Sequence, residues 1–248
     1  MTTAGRLRAP RHARASRVRA TRSLTLRFAG WSAACAATVV VVAASMRLPA
    51  PAITVAVALL AGALAVAVTT IGAGHPHPRI GAANVVTLAR LGLVALLAAV
   101  LFGGSERPAT VIALGVVALA LDGVDGHLAR TQRLSSRFGA AFDMEVDSAF
   151  GLVLALLAST GPAGLAALAL GVPRYLFGAA AALAPWLNGD LAPRTSRKVI
   201  CVLQLIALLV LQLPGLPVWT ALIIVAATTA ALAWSFGVDI LALRRAAS

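Results

Sequence analysis

Eight apolar stretches, most near the length of a bilayer crossing, follow one another along this chain, at roughly 28–46, 50–73, 82–103, 109–129, 139–159, 163–187, 199–213 and 217–236. Their connections are short and carry most of the Arg, Pro and Gly. In hydrocarbon every backbone N–H and C=O must find its partner within the protein, so such segments cross as helices. The expected fold is therefore all-α, a polytopic membrane helix bundle. A mean hydropathy of +0.92 and 60% hydrophobic residues exclude a water-soluble domain with a single core.

The charge distribution orients the bundle. Lys and Arg outnumber Asp and Glu by 21 to 8. With the N-terminus in the cytoplasm, 17 of the 21 cations fall on the cytoplasmic side, and only Arg47 and Arg107 fall outside. Arg90 and Arg174 lie within spans. Trp31, Trp186, Trp219 and Trp234 sit near span ends, as interfacial aromatics do. Both termini are then cytoplasmic. Residues 1–27 hold eight Arg and no acid, which reads as a solvated, disordered basic tail. Cations placed this way meet anionic lipid, not nucleic acid. Arg in place of Lys everywhere but Lys198, with abundant Ala, suggests a high-GC bacterial genome and hence the bacterial plasma membrane. Cys35 and Cys201 lie in separate spans without metal-like spacing and read as unpaired thiols.

Five of the eight acidic residues fall between 122 and 147: Asp122, Asp125, Asp143, Glu145 and Asp147. Carboxylates at the edge of apolar spans are costly and call for partners. On helices, Asp122 and Asp125 are i,i+3 neighbours and Asp143 and Asp147 are i,i+4 neighbours, so each pair shares a face. The turn over 131–138 lets the two faces meet. Four convergent carboxylates without Cys or His suit a hard cation, Mg²⁺ or Mn²⁺, and two such ions could bridge a diphosphate. Gly126, Ala129 and Gly139 add no bulk, which leaves room for a flat base or for close helix approach. Glu145 points about 200° around the helix from Asp143 and is expected to meet another span or subunit.

Asp122, Asp125, Gly126, Ala129, Arg130, Gly139, Asp143 and Asp147 compose D-x-x-D-G-x-x-A-R-x8-G-x-x-x-D-x-x-x-D. This resembles the signature of the CDP-alcohol phosphotransferases, membrane enzymes that move a substituted phosphate from a CDP-alcohol to a second alcohol. The last six spans, about 78–245, resemble that family's six-helix core. The two spans within 28–74 lie outside it and are expected to pack or anchor. By resemblance, Asp122, Asp125, Asp143 and Asp147 hold the metal ions, and Asp147 is the catalytic general base. The resemblance also implies CDP-diacylglycerol or another CDP-alcohol as donor, an alcohol acceptor, CMP as product and a homodimer.

Asn84, Thr87 and Arg90 form N-x-x-T-x-x-R, similar to a motif that precedes the signature in many members. Their three-residue spacing makes a polar stripe on an apolar helix. With Gly126, Ala129, Arg130 and Gly139 they are the expected nucleotide site; a snorkelling Arg90 at a helix end is the plainer alternative. Arg194, Arg197 and Lys198 resemble a basic cluster used for phosphorylated acceptors, such as glycerol 3-phosphate, and equally fit a positive-inside loop. Arg174, charged within a span, either binds the acceptor or answers Glu145. His127 occupies a variable signature position, and His75 and His77 sit in a Pro-punctuated loop, so none is expected to be catalytic. A cation-binding transporter or a silent family member are the competing readings. A transporter explains the aspartates but not the Gly, Ala and Arg spacing.

Overall fold

The computed structural model describes residues 11–74, 80–104, 107–131, 136–189, 191–192 and 194–247, with side chains from residue 23 onward apart from 68–74, 127 and 129–130. The chain is helical throughout, with no strand among the described residues. The helices are α1 (Arg11–Ser45), α2 (Ala50–Gly74), α3 (Ala82–Phe102), α4 (Pro108–Thr131), α5 (Arg137–Ser159), α6 (Leu168–Gly171), α7 (Pro173–Leu183), α8 (Thr195–Val210) and α9 (Val218–Ala247).

Local chemistry sets the breaks. Arg47 adopts φ 57° after α1, and Pro49 and Pro51 flank the start of α2. Gly104 at φ 63° follows α3 before Pro108 opens α4. The Ser136 hydroxyl caps α5 by accepting the Gly139 N–H at 3.0 Å. That cap fixes where the helix bearing Asp143 and Asp147 begins.

Three expectations need correction. Residues 11–27, expected to be disordered, are helical and continuous with the first apolar span. Arg and Ala are strong helix formers and no Gly or Pro interrupts residues 11–29, so the helix propagates out of the span. The expected sixth span is broken. A 3₁₀ turn at Gly164–Ala167 leads into α6, the chain bends by 51° at Gly171–Pro173 into α7, and a second 3₁₀ turn follows at Pro185–Asn188. Pro173 removes a backbone donor and suits only a first helical turn, which starts a new helix there. Of eight expected crossings, five helices are long and apolar enough, or six with the bent pair as one. α8 is too short at 16 residues, and α5 carries too many charges in its first half.

α3 is the hub. In it 67% of the span is buried, against 22% in each of the other four candidate spans, because α1, α2, α4 and α5 all pack on it. α5 also touches α2, α6 and α8, and α9 lies against α8 and α6. Gln204 of α8 donates to the Leu170 carbonyl, and Gln212, two residues past its end, donates to the Leu154 and Leu208 carbonyls at 3.1 Å, so the short α8 is tied by amides as well as packing. Outward-facing Val41, Val66, Leu176, Leu183, Ile223 and Leu241 leave an apolar surface suited to lipid. Trp31, Trp186, Trp219 and Trp234 are exposed as well.

Candidate active site

The polar stripe on α3 faces α4 and α5. The Asn84 amide donates to the Ile80 carbonyl, one turn back on its own segment. Thr87 Oγ1 lies 3.1 Å from both the Ala83 carbonyl and Asp125 Oδ2, linking α3 to α4. One turn further, Arg90 is 1% exposed, which rules out a snorkelling side chain.

The Arg90 guanidinium is the centre of the site. Nε donates to the Ala118 carbonyl at 3.2 Å, which fixes the plane of the group. Nη1 donates to Asp125 Oδ2 at 3.0 Å and to Asp143 Oδ1 at 2.6 Å, and it pairs with Asp122 Oδ1 at 3.0 Å. Nη2 donates to Asp147 Oδ1. One cation thus joins all four signature aspartates across three helices. Nη1 has two N–H bonds and faces three carboxylates, so the aspartates compete for it.

Four carboxylates against one guanidinium leave a formal charge of −3. Oxygens of Asp122, Asp143 and Asp147 lie within 4.8 Å of one another, a spacing at which one cation can be shared. Asp122 is 28% exposed and Asp143 and Asp147 are each 39% exposed, whereas Asp125 is 4% exposed and sealed between Thr87 and Arg90. The expected set of four metal ligands is therefore brought together as an open triplet with Asp125 behind it. An all-oxygen donor set with excess negative charge fits a hard divalent cation such as Mg²⁺ or Mn²⁺.

Of the other nucleotide candidates, Gly139 lies against α3. A Cβ there would stand 2.9 Å from Asn84 Oδ1, so this glycine serves close helix approach. Gly126 is half-buried one residue beyond Asp125. The side chains of Ala129, Arg130 and His127 lie outside the described residues, as do His75 and His77.

The acceptor candidates divide. Arg174 Nη2 pairs with Glu145 at 3.4 Å and contacts Met144 Sδ at 3.0 Å, on a different face of α5 from the carboxylates. Glu145 therefore meets another span, and Arg174 answers it. Arg197 binds Asp239 with both forks at 2.9 Å, and Arg194 reaches Asp239 at 3.5 Å, the Ser235 hydroxyl at 3.0 Å and the face of Trp234 at 5.5 Å. Lys198 is exposed.

Sequence reasoning missed Asp239 and the hub role of Arg90. Asp239 is the one acidic residue in the last helix, where a lone carboxylate 7% exposed demands a partner. Arg90 was the only cation in the span nearest four unpaired aspartates.

A family model described as CDP-alcohol phosphatidyltransferase matches residues 80–238, more than half of the chain. The match begins just before α3 and ends within α9, leaving α1 and α2 outside. Searches of curated proteins and of solved structures give no match.

Proposed function

The chain belongs to the CDP-alcohol phosphatidyltransferase family, and on that premise we propose that it transfers a phosphatidyl or similar substituted phosphate from a CDP-alcohol such as CDP-diacylglycerol to an alcohol acceptor, releasing CMP. Family membership supports the coarser statement, a phosphotransferase role in phospholipid synthesis. The observation that supports the finer one is the convergence of Asp122, Asp143 and Asp147 around Arg90, with carboxylate oxygens within 4.8 Å of one another.

In this reading Asp122, Asp125, Asp143 and Asp147 would hold two Mg²⁺ or Mn²⁺ ions. Such ions supply neutralisation of the diphosphate and of the departing CMP. Asp147 accepts the proton of the acceptor hydroxyl as that oxygen attacks the phosphorus bearing the alcohol group. The new P–O bond forms in line with the bond to CMP, which breaks and leaves its electron pair on the CMP oxygen. Arg90 keeps the four carboxylates at fixed mutual distances, so the geometry is set before substrate arrives. Asn84, Thr87, Gly126, Ala129, Arg130 and Gly139 shape the cytidine diphosphate site.

Arg194, Arg197 and Lys198 favour a phosphorylated acceptor such as glycerol 3-phosphate. Arg194 and Arg197 share the single carboxylate of Asp239 and Lys198 is exposed nearby in sequence, so the group carries a surplus of positive charge that suits a phosphorylated acceptor. Arg174 is the weaker acceptor candidate, since Glu145 already engages it. The positive-inside pattern supports a site on the cytoplasmic side of a bacterial plasma membrane, and a homodimer is carried over from the family.

The test is CMP release by purified protein with CDP-diacylglycerol and Mg²⁺ or Mn²⁺, with acceptors supplied singly. Release that requires one acceptor establishes the reaction and names the product. Cation uptake into vesicles without CMP release would instead support a transporter, and bound CDP without either activity a silent member.

A further inference from the structure

The two N-terminal helices lie outside the family match, yet α1 contacts two of the three helices that build the site, α3 and α5. Phe28, 1% exposed, sets its ring edge-on against Phe138 at 5.9 Å and Phe142 at 5.8 Å, and those two rings stack on each other at 5.8 Å. Phe142 directly precedes Asp143. Phe138 and Phe142 continue into Val146 and Phe150 as the buried face of α5, and Asp143 and Asp147 flank that face by one residue. Any rotation of α5 about its axis that loosened the aromatic contact would swing both aspartates relative to Arg90.

Along its length α1 is also fixed to α3. Cys35 Sγ donates to the Leu88 carbonyl at 3.5 Å, and Gly92 makes room for it, since a Cβ there would stand 2.7 Å from that sulfur. At the far end Arg107 Nη1 donates to the Met46 carbonyl at 2.8 Å, and Leu48 packs where Gly103 lacks a side chain. A membrane anchor needs only an apolar exterior. These contacts instead run from the first turns of α5 across the helix that carries Arg90.

We propose that α1 braces the catalytic helix, with Phe28 as a positioning residue that holds Asp143 and Asp147 in register with Arg90. Edge-to-face aromatic contacts have a defined geometry, so they fix rotation as well as distance. Only the turnover part of the test rests on the functional reading above.

The experiment compares the full-length protein in detergent with Phe28→Ala, Phe28→Leu and Val39→Ala, the last also buried on α1 but beside Gly92 of α3. Amide hydrogen exchange over residues 137–147 is read first. Phe28→Ala should speed it by about tenfold, with most protection regained in Phe28→Leu and none lost in Val39→Ala. In the CMP-release assay Phe28→Ala should lower kcat by about tenfold while KM stays within about twofold. Exchange over 137–147 no faster in Phe28→Ala than in Val39→Ala would overturn the brace, as would a loss carried entirely by KM. Absence of CMP release from the unaltered protein would contradict the functional reading, and the exchange comparison would still decide the brace.

Discussion

Arg90 is the residue on which the site turns, because among the described residues it is the sole cation within bonding distance of four carboxylates that would otherwise repel one another. Replacing it with Gln should destabilise the protein by roughly 3 to 5 kcal/mol, the range for breaking a buried ion pair by removing one partner. Added Mn²⁺ should then raise the melting temperature more in Arg90→Gln than in the natural protein, since the ion takes over the neutralising charge. Equal shifts in the two proteins would show that Arg90 and the metal do not act on the same carboxylates. Lys would not substitute well, for an ammonium cannot fork to carboxylates on two helices while bonding the Ala118 carbonyl. The aspartates were legible in the sequence, because their i,i+3 and i,i+4 spacings report on one helix at a time. Arg90's reach across α4 and α5 was not, since it follows from how three helices pack. Asp239 escaped for a related reason. A single carboxylate has no spacing to match, and its partners Arg194 and Arg197 lie more than 40 residues earlier.

At the scale of elements, the approach of α5 to α3 is what brings Asp143 and Asp147 onto Arg90. Gly139 permits it at the Asn84 contact. Gly139→Ala forces a Cβ to 2.9 Å from Asn84 Oδ1, in a place where Asn84 is already tethered to the Ile80 carbonyl. A cost of about 1 to 3 kcal/mol is expected, as for overpacking elsewhere, together with a fall in turnover as α5 shifts; thermal melting and CMP release on the same sample read both. Unchanged stability and turnover would mean that α3 yields freely at this point. Helix positions were largely readable from hydropathy, with α2, α3, α4 and α9 close to the expected spans at their starts. The broken sixth span was signalled by Pro173, but its 51° bend also needs Gly171, whose missing Cβ lets α6 approach the Leu152 backbone. Composition alone cannot separate an apolar helix that crosses from one that bends.

For the whole molecule, the consequential quantity is sidedness. Among the described residues the helices long and apolar enough to cross number six once the bent pair counts as one span, and an even number, like the eight crossings expected from the sequence, would return the C-terminus to the side of the N-terminus. Under the positive-inside rule, the concentration of Arg in the tail, the signature turn and the C-terminal Arg244 and Arg245 supports the proposed cytoplasmic placement of that side. A fluorescent protein fused after Ser248 should therefore fold and fluoresce in a bacterial host, and a fused periplasmic phosphatase should stay inactive. The opposite pair of results would put the carboxylate cluster on the wrong face for a soluble cytidine nucleotide. The α1 start at Arg11 was hidden in the sequence by its lack of apolar residues, although Arg and Ala propagate a helix without them. The central claim is that the four-aspartate cluster carries out transfer with Asp147 as its base. Its most direct test compares kcat for CMP release and the dissociation constant for CDP-diacylglycerol in Asp147→Asn and the natural protein. Loss of a positioned base should lower kcat by about 10² to 10⁴ with CDP-lipid binding nearly unchanged, whereas equal loss of binding and turnover, or no loss of either, would contradict the account.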